Sequence, residues 1–326
     1  MISVMKLQIS ANASEYQANM SFSSQIKDDL VRYRTKTKDQ RICELSGLTL
    51  TCGSLRISKD LSIVYTSESF PVGNRILSLS NMLYKPDSTM EIFERERRRA
   101  PLYIVRLSGD RIEELLLDIG VLSKENGTYS LMHHAPEVVM SSEVCVRAFL
   151  RGAFLGSGSC VDPHRSYHLE IVTSEETICK TLLSCIQCFS LSARYLQRKD
   201  KYIVYLKGDD VAGFLALVGA NLAALKIEDV RTEKEFRNYV NRCSNCETAN
   251  IGKTVDAALL QLKAIEIIEQ SMKLENLPIA LYEAARLRMQ HPDMTLQELA
   301  DLAEIGKSGM NHRLTRLLNI AEDFRN

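Results

Sequence analysis

Apolar residues recur at helical spacing from Phe22 onward. Phe22, Ile26, Leu30 and Val31 form one stripe and predict an amphipathic first helix. From Arg41 to Gly53 the chain is apolar on most sides (Ile42, Leu45, Leu48, Leu50), with Ser46 and Gly47 inside it. That pattern predicts a helix packed close against another helix. Alternation then takes over. Leu55–Ser58 and Leu61–Thr66 read as strands across a Lys59-Asp60 turn. A helix at Asn74–Tyr84, a strand at Leu102–Leu107 and a helix at Arg111–Ile119 follow.

After Gly127 the order repeats. Glu143–Gly156 is again a helix with small residues inside it, and Tyr167–Thr173 is a strand. Glu175–Phe189 is a helix, Ala193–Gln197 and Tyr202–Leu206 form a hairpin, and Asp209–Gly219 is a closing helix. A weak repeat of about 100 residues predicts two similar α+β halves, each with helices on one face of an antiparallel sheet. Strand signals stop at Ile227. A long helix around Lys253–Lys273 and a compact helical cluster from Leu277 onward are expected. The domains read as an N-terminal extension at 1–19, expected to be flexible, an α+β domain at 20–220, a linker at 221–250 and a helical domain at 251–326.

The helical cluster carries the clearest signal. Pro278 suits the start of a helix that runs through Met289, and His291-Pro292-Asp293 stops it. Thr295 with Glu298 is a capping-box pair ahead of Leu296, Leu299, Leu302 and Ala303. Gly306 is expected in a left-handed turn, with Ser308 capping a helix over Gly309–Leu318. Helix, loop, short helix, tight turn, helix is the spacing of a helix-turn-helix. Residues 307–318 contain Lys307, His312, Arg313 and Arg316 and no acid. Asn311 is suited to adenine and Arg313 to guanine through paired hydrogen bonds. Ser308 and the free amides beside it suit a phosphate. Leu314, Leu317 and Leu318 take the core side. The expected duplex-DNA site is Thr295, Lys307, Ser308, Gly309, Met310, Asn311, His312, Arg313 and Arg316. The bland alternative is a three-helix bundle with a solvated basic face.

Charge sharpens this reading. The 41 basic and 41 acidic residues cancel, so affinity for nucleic acid has to come from local clustering. No apolar run is long enough to span a membrane, and the first twenty residues lack a secretory pattern. Met20 offers an alternative start. Nine cysteines without disulfide-like spacing suit a reducing compartment, where thiols act as small buried hydrophobes.

Four motifs resemble the WhiA family of DNA-binding regulators, linked in Gram-positive bacteria to sporulation and cell division. They are Ser21-Phe-Ser-Ser-Gln-Ile-Lys27, Arg147-Ala-Phe-Leu-Arg-Gly-Ala-Phe-Leu155, Asn245-Cys-Glu-Thr-Ala-Asn250 and Lys307-Ser-Gly-Met-Asn-His-Arg-Leu314. The resemblance covers the chain from about Met20. It implies an α+β fold: a degenerate LAGLIDADG homing-endonuclease-like domain of two halves, then an all-α helix-turn-helix domain. Leu45–Gly53 and Leu150–Gly158 take the place of the two LAGLIDADG motifs. In a working nuclease each motif ends with an acid before its last glycine, and the two acids bind magnesium. Cys52 and Ser157 stand there, and both are poor ligands for a hard cation. Asp162 lies too far along the chain to substitute. No catalytic residue, metal or cofactor is therefore expected.

Other clusters carry less. Cys185/Cys188 and Cys243/Cys246 are two Cys-x-x-Cys pairs too far apart for an ordinary zinc ribbon, and the first pair suits core packing. His133, His134, His164 and His168 read as solvated or packed. The run Arg95, Arg97, Arg98 and Arg99 is interleaved with Glu94 and Glu96, so a solvated face competes with a phosphate contact. Tyr65, Tyr103, Tyr167 and Tyr205 read as sheet packing, and Gly156-Ser-Gly158 as helix packing. The expectation is a sequence-specific DNA-binding protein, cytoplasmic and nucleoid-associated, regulating transcription for division, chromosome segregation or sporulation. Other regulators or the transcription machinery are its further expected partners. The alternative is a protein-interaction scaffold for which DNA binding is secondary.

Overall fold

The computed structural model describes residues 20–57, 61–93, 101–132 and 134–324. The N-terminal extension, the Lys59-Asp60 turn, the run from Glu94 to Arg99 and His133 lie outside them. The chain divides into two compact units between Glu233 and Lys234.

In the first unit, α1 (Phe22–Leu30) buries Phe22, Ile26 and Leu30, as its stripe requires, and Ser21 caps it. Next come α2 (Lys38–Cys52), β1 (Gly53–Ile57), β2 (Leu61–Ser67), α3 (Phe70–Leu83), β3 (Asp87–Phe93), β4 (Leu102–Ser108) and α4 (Ile112–Asp118). A small hairpin, β5 (Leu122–Glu125) and β6 (Thr128–Leu131), leads to α5 (Glu143–Ser157). The same order then recurs as β7 (Gly158–Cys160), β8 (His168–Thr173), α6 (Glu176–Gln187), β9 (Arg194–Arg198), β10 (Lys201–Lys207) and α7 (Asp210–Val218). The two four-stranded antiparallel sheets have matching orders, β1-β2-β4-β3 and β7-β8-β10-β9. The expected repeat is therefore present in topology. The sequence pattern missed β3, β7 and the β5–β6 hairpin. It also placed the starts of α2 and α3 several residues late, where Thr37 and Ser69 supply the caps.

Helices α2 and α5 pack through their small residues. A Cβ on Gly47 would strike the Phe149 carbonyl and the Ala153 nitrogen, and one on Gly152 would strike the Glu44 carbonyl. A Cβ on Gly156 would strike Thr51 Oγ1. Close approach, not loop flexibility, therefore explains these glycines. Leu45, Leu48, Phe149, Leu150, Ala153 and Phe154 fill one core with Ile63, Tyr65, Leu107, Ile171 and Leu206 from the sheets. Burying each large apolar side chain contributes roughly 1.5–3 kcal/mol. Inside this core Glu44 is fully buried between two cations. Arg75 donates to both its oxygens, at 2.6 and 3.0 Å, and Arg151 Nε donates to Oε2 at 2.9 Å. Arg151 also donates to the Val218 carbonyl at 3.1 Å and lies over the Tyr33 ring. The buried acid is thus fully satisfied by groups from several elements.

Where a linker was expected over 221–250, the chain is helical throughout. Helix α8 runs Asn221–Ser271. Ala223, Ala224 and Ile227 join the core of the first unit, and Ala264, Ile265 and Ile268 join the core of the second. The second unit continues with α9 (Ile279–Gln290), α10 (Leu296–Leu302) and α11 (Lys307–Asp323). Its core is Leu277, Leu281, Ala284, Ala285, Leu299, Ala300, Met310, Leu314, Leu317 and Ala321 with the end of α8. No described helix is long and apolar enough to cross a membrane.

Candidate nucleic-acid interface

The start of α10 is fixed by a reciprocal cap. Thr295 Oγ1 accepts from the Glu298 amide at 3.3 Å, and Glu298 Oε2 accepts from the Thr295 amide at 2.7 Å. Donation from the Thr295 backbone amide, and then from its hydroxyl, holds the Glu298 carboxyl below its ordinary range. Before this cap, buried Arg288 braces the loop from α9. Its Nη1 donates to the carbonyls of Met294, Pro292 and His291 at 2.7, 3.3 and 3.4 Å, and its Nε donates to Gln261 Oε1 at 2.9 Å. Burial lowers its pKa.

The turn between α10 and α11 differs from expectation in one residue. Glu304, not Gly306, takes the left-handed conformation, with φ of 53°. The Ile305 amide reaches the Ala300 carbonyl at 3.0 Å and the Glu304 amide reaches Asp301 at 3.1 Å, the paired bonds of a Schellman ending. Gly306 is extended and caps α11 without a side chain, so Ser308 lies inside the helix instead of capping it.

Helix α11 sorts its side chains sharply. Met310, Leu314, Leu317 and Ala321 are buried at i, i+4, i+7 and i+11. Met310 is thereby removed from the expected surface set, because its position on that stripe places it in the core. Arg313 is half-buried. It donates to the Ala280 carbonyl at 3.4 Å and faces Glu283 at 3.6 Å, so its guanidinium is turned onto α9, against the expected guanine contact. Lys307, Ser308, Gly309, Asn311, His312 and Arg316 are exposed as expected. Thr315 and Asn319 share that face and were overlooked; they lie seven and eleven residues after Ser308, a spacing visible in the sequence. The solvent face is therefore Ser308, Asn311, His312, Thr315, Arg316 and Asn319, with the first acid at Glu322.

The first unit offers a second polar surface. Strand pairing sets Lys201 opposite Arg198 and Tyr205 opposite Arg194 on the side of β10 away from buried Val204 and Leu206, with Lys207 following and with buried Ile203, opposite Leu196, in the middle of that side. Like charges directly opposite each other weaken a sheet, so the Lys201–Arg198 pair is kept at a cost to pairing. Glu170 is that side's one acid from β8, and His168 holds it at 2.7 Å. Alternation in the hairpin is the signal that would have picked out these cations.

The ends of α2 and α5 bear no acid. Cys52 Sγ donates to the Leu48 carbonyl at 3.2 Å. Burial raises its pKa to about 12, partly offset by nearby Lys27, so the thiol stays neutral. Ser157 Oγ is buried without a hydrogen-bond partner. Asp162 accepts from the His164 amide at 2.9 Å and only closes a turn. Among the described residues no three His, Cys, Asp or Glu side chains are grouped to hold a metal ion. Cys185 is buried as expected, whereas Cys188, Cys243 and Cys246 are exposed. Tyr65 is in the core and shares a hydrogen bond of 2.8 Å with Thr49.

A two-half α+β unit followed by a helix-turn-helix unit defines the class: a LAGLIDADG-like domain joined to a helix-turn-helix domain. Three family models match in that order. They are the WhiA N-terminal LAGLIDADG-like domain at residues 38–122, the WhiA LAGLIDADG-like domain at 146–237 and the WhiA C-terminal HTH domain at 240–321. The chain belongs to the WhiA family. It is 37% identical over 318 residues to a probable cell division protein WhiA of Clostridium novyi (strain NT), covering 94% of this chain and 99% of the relative. It is 38% identical over 312 residues to the protein of the same name in Clostridium beijerinckii, with the same coverage. The crystal structure of full-length DUF199/WhiA from Thermatoga maritima matches with a TM-score of 0.60 and 26% identity, over 94% of this chain and 99% of that one.

Proposed function

We propose that this protein is a sequence-specific duplex-DNA-binding regulator whose α11 reads bases in the major groove. The observation that carries the reading is the acid-free solvent face Ser308, Asn311, His312, Thr315, Arg316 and Asn319 on the last helix of a helix-turn-helix. Asn311 and Arg316 have the paired donors and acceptors that distinguish base pairs. Lys307 and the free amides at Ser308 and Gly309 suit the adjoining phosphate. Thr295 contributes by fixing α10. Arg194, Arg198, Lys201 and Lys207 suit further phosphates, which position the protein without reading sequence. The relatives' names support a role in cell division. A base-reading regulator exercises such a role at promoters, beside the transcription machinery in the nucleoid, and that finer placement is part of the proposal.

The LAGLIDADG-like unit acts here as a scaffold and does not cleave DNA. A neutral thiol and a hydroxyl stand where a nuclease needs two carboxylates, and both are poor ligands for a hard divalent cation.

Binding of the full chain to a duplex selected from a random pool tests the reading. Asn311→Ala and Arg316→Ala are each expected to cost roughly 1–3 kcal/mol and to relax preference at one base position. Equal loss on every sequence would reduce these residues to phosphate contacts. Plasmid nicking by pure protein with magnesium would overturn the scaffold role.

A further inference from the structure

Three of the nine cysteines are exposed, and two of them, Cys243 and Cys246, stand one turn apart in the middle of α8. Every residue from Glu235 to Lys253 is exposed around them. Buried side chains return only at Val230 on one side and Ala258 on the other. The stretch between, about five turns, is held by its own backbone hydrogen bonds and by its two anchored ends. Asn238, Asn241, Asn245, Asn250, Gly252 and both cysteines are poor helix formers. Distorting the helix here breaks no buried contact.

Packing explains the buried thiols of this chain but not these two. An accessible thiol with a second thiol beside it is the arrangement of a reversible redox site. On an α-helix, residues i and i+3 have Cβ atoms about 5–6 Å apart, whereas a disulfide needs about 3.5–4.5 Å. The gap closes when the turn tightens toward 3₁₀ geometry, in which side chains i and i+3 eclipse. Bridging Cys243 to Cys246 therefore costs helix, in a stretch with no packing to lose. The Cys185/Cys188 pair has the same spacing and opposite surroundings. Cys185 is 1% exposed at the end of α6, and burial pushes its thiol up to about 12. Because the thiolate is the attacking species, that pair serves as an internal control.

We propose that Cys243 and Cys246 form a reversible dithiol–disulfide site whose co-reactant is a low-molecular-weight disulfide. One protein thiol loses its proton and attacks a sulfur of the small disulfide, releasing one small thiolate. The other loses its proton and attacks the protein sulfur of the mixed disulfide, releasing the second. Two protein thiols are oxidised, one small disulfide is reduced, and the two protons end on the two small thiols. The bridge loosens α8 between the two cores that anchor it. The site stands independently of the DNA-binding reading of α11.

The test equilibrates the fully reduced full chain with reduced and oxidised glutathione in a series of ratios and reads it by peptide mass mapping. Cleavage after Arg242 and Lys253 releases one peptide that carries both thiols. It is expected to lose two hydrogens as the ratio becomes oxidising, and to regain them in excess reduced glutathione. The peptide with Cys185 and Cys188 should stay reduced at the same ratios. Cys243→Ser and Cys246→Ser should each stop at a mixed disulfide with glutathione. In the bridged wild type, amide exchange across residues 235–253 should rise at least about tenfold, with α9, α10 and α11 unchanged. Free thiols throughout, or glutathione on both thiols without a bridge, would overturn the proposal. So would a bridge between two chains, seen as a covalent dimer in a non-reducing gel, or equal oxidation of Cys185 and Cys188. A bridge that leaves exchange over 235–253 unchanged would overturn the loosening of α8.

Discussion

Arg288→Met perturbs the helix-turn-helix at its brace. The wild-type side chain is 2% exposed. Its bonds to Met294 O at 2.7 Å and Gln261 Oε1 at 2.9 Å are short, and those to Pro292 and His291 are long and weak. A hydrogen bond from a charged donor contributes about 1.5–3 kcal/mol, so the two short bonds supply about 3–6 kcal/mol gross. Methionine fills most of the space and removes a buried charge, which offsets on the order of 1–2 kcal/mol. The net loss is then about 2–4 kcal/mol. Tenfold per 1.4 kcal/mol converts this to amide exchange about 30-fold to 700-fold faster. Mass spectrometry of the full chain should show it in peptides covering α9, α10 and α11, with α5 unchanged. Exchange raised less than about threefold would show that the loop before α10 does not depend on this guanidinium.

Gly152→Ala drives a methyl into the Glu44 backbone, and should destabilise the first unit by about 1–3 kcal/mol or more, read as a lower urea midpoint. Glu304→Gly relieves a left-handed glutamate and should stabilise the second unit by about 0.5–1 kcal/mol, slowing exchange in α10. Because capping lowers the Glu298 pKa, its contribution is complete above the ordinary glutamate value and is lost as pH falls through the lower folded value. Opening of α10 should therefore accelerate in that acidic window in the wild type and not in Glu298→Ala; identical profiles would remove the capping role.

Helices with a continuous apolar stripe were legible in the sequence, and so were the longer strands with a buried side; β7, buried at Gly158 and Cys160, is too short at three residues to show alternation. Strand β3 was not, because only Met90 of its seven residues is even half-buried and pairing with β4 holds it. The β5–β6 hairpin was readable in principle. Asn126 and Gly127 both have positive φ, 50° and 81°, the two-residue turn that such a pair favours. In α8 the run from Asn238 to Gly252 is poor in helix formers and reads as a linker, yet the chain is helical through it. At the interface, composition located α11 but could not orient it. Met310 and Arg313 looked like groove residues until their places on the wheel put one in the core and the other on α9. Acid-free charge was visible in sequence; the face that carries it depended on where the helix begins.

A structure of the full chain bound to its selected duplex tests the central claim most directly. The account predicts α11 in the major groove, with Asn311 and Arg316 within hydrogen-bonding distance of base edges. A complex in which that face meets only solvent or protein, while another surface holds the duplex, would contradict it.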